Sequence, residues 1–162
     1  MSLTFNADEV FEMAIEIEHN GAKFYRQAAE KAADADTKKF MLDMAVMEDG
    51  HEDIFKDMRG KLTADAKLPV TYDPDNQAAM YLQTMADGKG YEGKISLDIP
   101  LSGDESMEEI INIAIGAERN SVVFYVGLKS LIKTETSRAQ VDKIIAEEMG
   151  HIAILQQKLL AM

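Results

Sequence analysis

The sequence contains no cysteine. Without a thiol there is no disulfide, no cysteine nucleophile, no Cys-ligated iron–sulfur cluster and no Cys-type zinc site. Proline is scarce: there are three in 162 residues, and all of them (Pro69, Pro74, Pro100) lie between positions 60 and 105. The rest of the chain is rich in Ala, Met, Glu and Lys, so nothing there interrupts long helices. Positive charge is in deficit, with 17 Lys and Arg against 29 Asp and Glu and a net charge of −12. Such a chain repels phosphate backbones and anionic lipid, which excludes nucleic acid and membrane surfaces as non-specific partners. No apolar run approaches the ~20 residues of a membrane span. MSLTFNADEVFEM at the N-terminus has neither the basic region nor the apolar block of a signal peptide. The expectation is a soluble, cytoplasmic protein. At 46% apolar and 28% charged, 162 residues suffice for a single domain whose core needs no covalent staples.

What is present repeats itself. At an offset of 100 residues, Ala14-Ile15-Glu16-Ile17-Glu18-His19-Asn20-Gly21-Ala22-Lys23-Phe24-Tyr25 lies over Ala114-Ile115-Gly116-Ala117-Glu118-Arg119-Asn120-Ser121-Val122-Val123-Phe124-Tyr125, with six identities in twelve positions. Further on, Glu48-Asp49-Gly50-His51 lies over Glu148-Met149-Gly150-His151. The period is too long for a solenoid and reads as a duplicated helical hairpin, the halves facing each other across a pseudo-two-fold axis. Capping-box pairs, Asn6 with Glu9 and Ser106 with Glu109, open the first and third helices. The pattern predicts helix 1 over about 7–33 and helix 2 over about 37–59, the latter behind Asp34 or Asp36 and stopped by Gly60. Helix 3 is expected over about 107–133; helix 4 is opened by Ser137 with Gln140 and continues to about 160.

Each helix carries an apolar stripe at three- and four-residue spacing, such as Phe11, Ala14, Ile15, Ala22, Tyr25 and Ala29 in helix 1. Most of the eleven methionines read as core filler. The connector 60–105 holds the prolines together with Gly88, Gly90, Gly93 and Gly103, and a short helix is expected near Asn76–Asp87. Links in up-down bundles run to only ~2–8 residues. One this long can cross the whole bundle and let helix 3 run parallel to helix 2. The expected fold class is all-α: a ferritin-like four-helix bundle with one long crossover, built from hairpins 7–59 and 107–160.

The informative residues are charges where core belongs. Glu18 stands in line with Phe11 and Tyr25, and Glu118 takes the same place between Ile115 and Val122. Glu48 and His51 interrupt the stripe from Met44 to Phe55, as Glu148 and His151 interrupt that from Ile144 to Leu155. A Glu and a His three residues apart share one helix face and can hold one ion together. Each Glu lies about eleven residues into its expected helix, so at ~1.5 Å per residue all four fall near mid-bundle. Burying isolated carboxylates costs on the order of several kcal/mol each. Two divalent cations remove that cost, because four negative charges then balance four positive ones beside two neutral imidazoles. Carboxylate with imidazole suits Fe, Mn or Zn. For any one of these residues alone a salt-bridged or protonated core acid is the simpler account; for the six together it is not.

At these residues the sequence resembles the rubrerythrin-type branch of the ferritin-like superfamily. The resemblance covers the four helices and rests on Glu18 with Phe24-Tyr25, Glu48-x-x-His51, Glu118 with Phe124-Tyr125, and Glu148-x-x-His151. It implies bridging carboxylates at Glu48 and Glu148, one terminal carboxylate per metal at Glu18 and Glu118, and imidazole ligands at His51 and His151. It also implies a di-iron centre that reduces H₂O₂ or O₂. Full-length rubrerythrins carry a Cys-rich rubredoxin module that delivers electrons. With no Cys here, turnover implies an external electron-donor protein. The family pattern has a second Glu one turn after the helix 3 ligand; here that place is Ser121, matched by Gly21 in helix 1, which makes this site the more symmetric. Family members often pair, so a homodimer is in view, and the Gly-rich connector would support an exchanged hairpin.

Tyr25 and Tyr125 follow their Glu by seven residues, about 10 Å along the helix, and so can reach only a carboxylate of another helix, as orienting groups or proton donors. An ordinary core tyrosine is an equal reading. Glu16, Glu52 and Glu147 stand beside ligands but off the stripe, and a solvated face is their expected place. His19 is turned about 100° from Glu18, toward the surface. The leading function is a di-iron oxidoreductase of peroxidase or oxidase type, its metals held about 3.5–4 Å apart. The alternative is a metal-binding protein without turnover, for iron sequestration, delivery or sensing, or with a structural Zn or Mn centre. An acidic protein-interaction bundle is a third reading.

Overall fold

The computed structural model describes residues 6–64 and 101–162. Four helices account for nearly all of them: α1 Ala7–Lys31, α2 Ala35–Gly60, α3 Met107–Leu131 and α4 Glu135–Leu160. The offset of 100 holds to the residue at every helix end. Helix starts follow the capping chemistry. Asn6 and Ser106 each close a full capping box, accepting from the N–H of Glu9 and Glu109 while those carboxylates accept from the cap N–H. Asp34, of the two candidates, caps α2 by accepting from Thr37 N.

One boundary is corrected. Helix α4 begins at Glu135, not at Ser137; Thr134 is its cap, with its hydroxyl accepting from Ser137 N at 3.3 Å. Ser137 therefore sits inside the first turn. Helices α1 and α3 also stop two residues earlier than the pattern suggested, at Lys31 and Leu131, where Ala32 and Ile132 turn extended. The short helix expected near Asn76–Asp87 and most of the crossover lie outside the described residues.

Side-chain contacts fix the relative directions. Arg59 grips Asp8 through two 3.0 Å bonds while His19 meets Glu52, so α1 and α2 run antiparallel. Tyr25 donates to Glu118 and Tyr125 to Glu18, so α1 and α3 are antiparallel as well. Helices α2 and α3 thus point the same way. The end of α2 and the start of α3 therefore lie at opposite ends of the bundle, as the crossover topology expected from the sequence requires.

The interior is stratified. Val10, Phe11, Phe55, Tyr125, Leu128 and Val141 belong to a buried apolar cluster at one end, and Phe24, Tyr25, Met41, Met44, Ile110 and Ile111 to another at the opposite end. Between the two layers lie the buried acids and histidines. No helix among the described residues is long and apolar enough to cross a membrane.

Phe55 links the lower apolar layer to the polar one. Its fully buried ring sits 4.9 Å from that of Tyr125 and 6.3 Å from that of Phe11. Phe55→Ala should cost about 3–5 kcal/mol of unfolding free energy in denaturant titration. A loss below about 1 kcal/mol would mean that this layer is not packed as described.

Candidate metal centre

All six residues singled out from the apolar stripes are buried, each at most 5% exposed. Each of the four helices contributes at mid-length. Helices α1 and α3 bring Glu18 and Glu118, while α2 and α4 bring the pairs Glu48/His51 and Glu148/His151. The i, i+3 spacing stacks each pair along one face, and antiparallel pairing of α2 with α4 sets the two faces opposite. The imidazole rings of His51 and His151 stack at 5.6 Å and 19°.

The donor atoms form two overlapping groups. Glu18, Glu48, His51 and Glu148 can bring one donor atom each within 4.8 Å of one another, and so can Glu48, Glu118, Glu148 and His151. Glu48 and Glu148 belong to both groups. His51 Nδ1 lies 2.6 Å from Glu148 Oε1 and 3.5 Å from Glu18 Oε2. His151 Nδ1 lies 3.2 Å from Glu48 Oε1, 3.3 Å from Glu148 Oε2 and 3.6 Å from Glu118 Oε2. Despite this proximity, Glu18 Oε2, Glu48 Oε1, both Glu148 oxygens and both imidazole Nδ1 atoms have no hydrogen-bonding partner in good geometry among the described residues. Buried polar atoms are rarely left so. Their lone pairs converge on shared interior points, as the ligands of a cation do.

Electrostatics point the same way. Burial, reinforced by the Glu148 charge, pushes the carboxyl of Glu18 up. Burial and facing carboxylates carry Glu48 and Glu118 well above the ordinary range. Glu148 goes the other way: burial would raise it, but the carboxyl of Glu118 and the two imidazoles close against it hold it well below. Burial alone would lower the imidazoles, yet the carboxylates around them push His51 up to about 11 and His151 up to about 12. In the metal-free protein, then, protons supply the positive charge this layer needs.

The tyrosines orient the outer carboxylates. Tyr25 donates to Glu118 Oε1 and Tyr125 to Glu18 Oε1, each across the α1–α3 interface. Burial drives both phenols well above their ordinary pKa, so both hold their protons. A small cavity of about 10 Å³, the room one water-sized molecule needs, opens between α1 and α3 beside Glu48, Glu118 and Tyr25. Gly21 lines it, and a Cβ there would come within 3.1 Å of Glu48 Oε2. At the matching position the hydroxyl of Ser121 turns back to Ala117 O at 3.2 Å.

The neighbouring acids divide. Glu16 is exposed, and Glu52 points away from the cluster to His19 and Lys56. His19 is 65% exposed, as expected for its turn away from Glu18. Glu147 differs from its expected solvated role: its side chain is 40% exposed, but Oε2 lies 2.9 Å from His51 Nε2. The repeat gave no hint of it, because the matching residue is Met47.

Twin hairpins enclosing two carboxylate–imidazole groups define a class of four-helix bundle whose interior is able to bind metal. Residues 9–159 match the family model for rubrerythrin, and the chain belongs to the rubrerythrin family. A crystal structure from Thermotoga maritima, described as a ferritin-like diiron-carboxylate protein, shares the fold with a TM-score of 0.73. That similarity covers 95% of this chain and 94% of the other at 24% identity. No curated protein matches the sequence.

The shifts carry a sign. Folded His51 and His151 bind protons that the unfolded chain releases above its ordinary 6.5. Their stabilising contribution is complete below pH 6.5 and is lost as pH rises toward about 11 and about 12. Glu48 and Glu118, also raised, act in the same direction. The melting temperature of metal-free protein should therefore fall as pH rises above 6.5, measured by differential scanning calorimetry. A flat or rising profile would contradict the charge balance described here.

Proposed function

We propose that this protein holds two metal ions, iron by preference, and uses them to reduce hydrogen peroxide or O₂ with electrons from an external donor protein. The observation that carries this reading is the pair of overlapping donor groups sharing Glu48 and Glu148. Glu48 and Glu148 would be held in common by the two ions, Glu18 with His51 would complete one subsite, and Glu118 with His151 would complete the other. Four carboxylates neutralise two divalent cations, and oxygen with imidazole donors suits iron, manganese or zinc. When bound, two ferrous ions supply two electrons to the oxidant.

The chain's own residues do the rest. The apolar layers above and below exclude bulk water and keep the local dielectric low. Tyr25 and Tyr125 hold Glu118 and Glu18 in one orientation. Their retained phenolic protons lie one hydrogen bond from those carboxylates. The balanced reaction consumes two protons and two electrons per peroxide and yields two waters. The cavity beside Gly21 suits an oxidant little larger than water.

A second reading, metal binding without turnover, draws on one observation. The 162 residues include no cysteine, so no sulfur-based electron-transfer centre lies in this chain. Sequestration, delivery or sensing of iron, or a structural zinc or manganese centre, would all use the same six ligands.

Protein loaded anaerobically with Fe(II) should consume H₂O₂ in single turnover at one peroxide per two irons and develop ferric absorption. Unchanged spectra after oxidant, with two metals retained, would favour the second reading. Glu48→Ala and His51→Ala should each leave less than two metals per chain by elemental analysis. Unchanged metal content would remove both readings.

A further inference from the structure

The six inner residues obey the repeat, but the groups behind the two imidazoles do not. His51 presents Nδ1 to Glu18 and Glu148 and turns Nε2 to Glu147 Oε2 at 2.9 Å. Glu147 is steadied on its other side by Lys143, whose Nζ lies 3.6 Å from Oε1. A carboxylate in that place accepts the Nε2 proton, which leaves the Nδ1 lone pair free for a metal. It also locks the ring plane and makes the imidazole a stronger donor. The position of α2 that matches Glu147 at the offset of 100 is Met47, which has no carboxylate to offer His151. A thioether is at best a weak acceptor. Among the described residues, the carboxylates paired with His151 all face its Nδ1.

We infer that Glu147 is a positioning residue that makes the two metal subsites unequal: the Glu18/His51 subsite fills first and binds tighter, and the Glu118/His151 subsite fills second. The inference rests on the two-metal reading above and adds the order of filling and its cause. Outer carboxylates of this kind change metal affinity by about 10–100-fold, and the two subsites should differ by a factor in that range.

The probe is Co(II) added to metal-free full-length protein, followed by visible absorption and calorimetry. Wild type should take up two ions in two resolved steps. In crystals grown with one equivalent, anomalous scattering should concentrate beside His51. Glu147→Leu should lower the first affinity about 10–100-fold and leave the second unchanged. Glu147→Gln, which keeps an acceptor but not the charge, should fall between them. Met47→Glu should raise the second affinity and narrow the gap, a gain that a merely structural role for Glu147 does not produce. Equal occupancy at one equivalent, a preference for His151, or a first affinity unmoved in Glu147→Leu would overturn the inference and leave the two-metal reading standing. Uptake of fewer than two ions by wild type would overturn both.

Discussion

The structure depends on one unfavourable arrangement: four carboxylates and two imidazoles taken out of water and set between two apolar layers. Hydrophobic burial above and below holds them there. Nothing in the packing requires these positions to be charged, since each lies on a stripe where an aliphatic residue would add to the core. Removing one partner of a buried charge cluster is strongly destabilising, whereas replacing the whole by apolar residues is often neutral or better. A layer of that composition is able to hold positive charge supplied from outside the chain. The metal-free balance, with both imidazoles driven up and Glu148 driven down, is how protons fill in for cations.

Duplication solves the geometric problem economically. Two hairpins with helix ends offset by 100 residues, paired antiparallel, bring mid-helix points to one level. Each hairpin alone would expose its acids to water; facing each other, the two bury them. The phenols work across the same seam, each tyrosine reaching the other hairpin's glutamate. Two departures from the two-fold relation lie close to the centre: Gly21 against Ser121, and Met47 against Glu147.

Much of this was legible in the sequence. The capping pairs at Asn6 and Ser106, the polar interruptions of the stripes and the length of the link between hairpins all follow local physical rules, and the structure shows each cap where those rules put it. Where sequence and structure differ, a local pattern competes with a longer-range one. Ser137 with Gln140 has capping-box spacing, yet Thr134, which aligns with the Asp34 cap, opens α4. The repeat was the better guide. Glu147 is turned away from the stripe of its own helix, so that stripe does not reveal its role. Its partner, His51, belongs to a neighbouring helix, and periodicity along one helix carries no information about what another presents. Likewise Val10, Ile17, Phe24, Ile110 and Phe124 are buried beyond the expected stripes, because each helix packs against more than one neighbour.

The central claim is that the buried acids gather around two cations. The most direct test is anomalous diffraction from crystals of protein purified with its native metal, collected on both sides of the iron edge. The account predicts two peaks per chain, one bounded by Glu18 and His51 and the other by Glu118 and His151, with Glu48 and Glu148 between them. A single peak, or an interior in which these carboxylates contact only protons and one another, would contradict it.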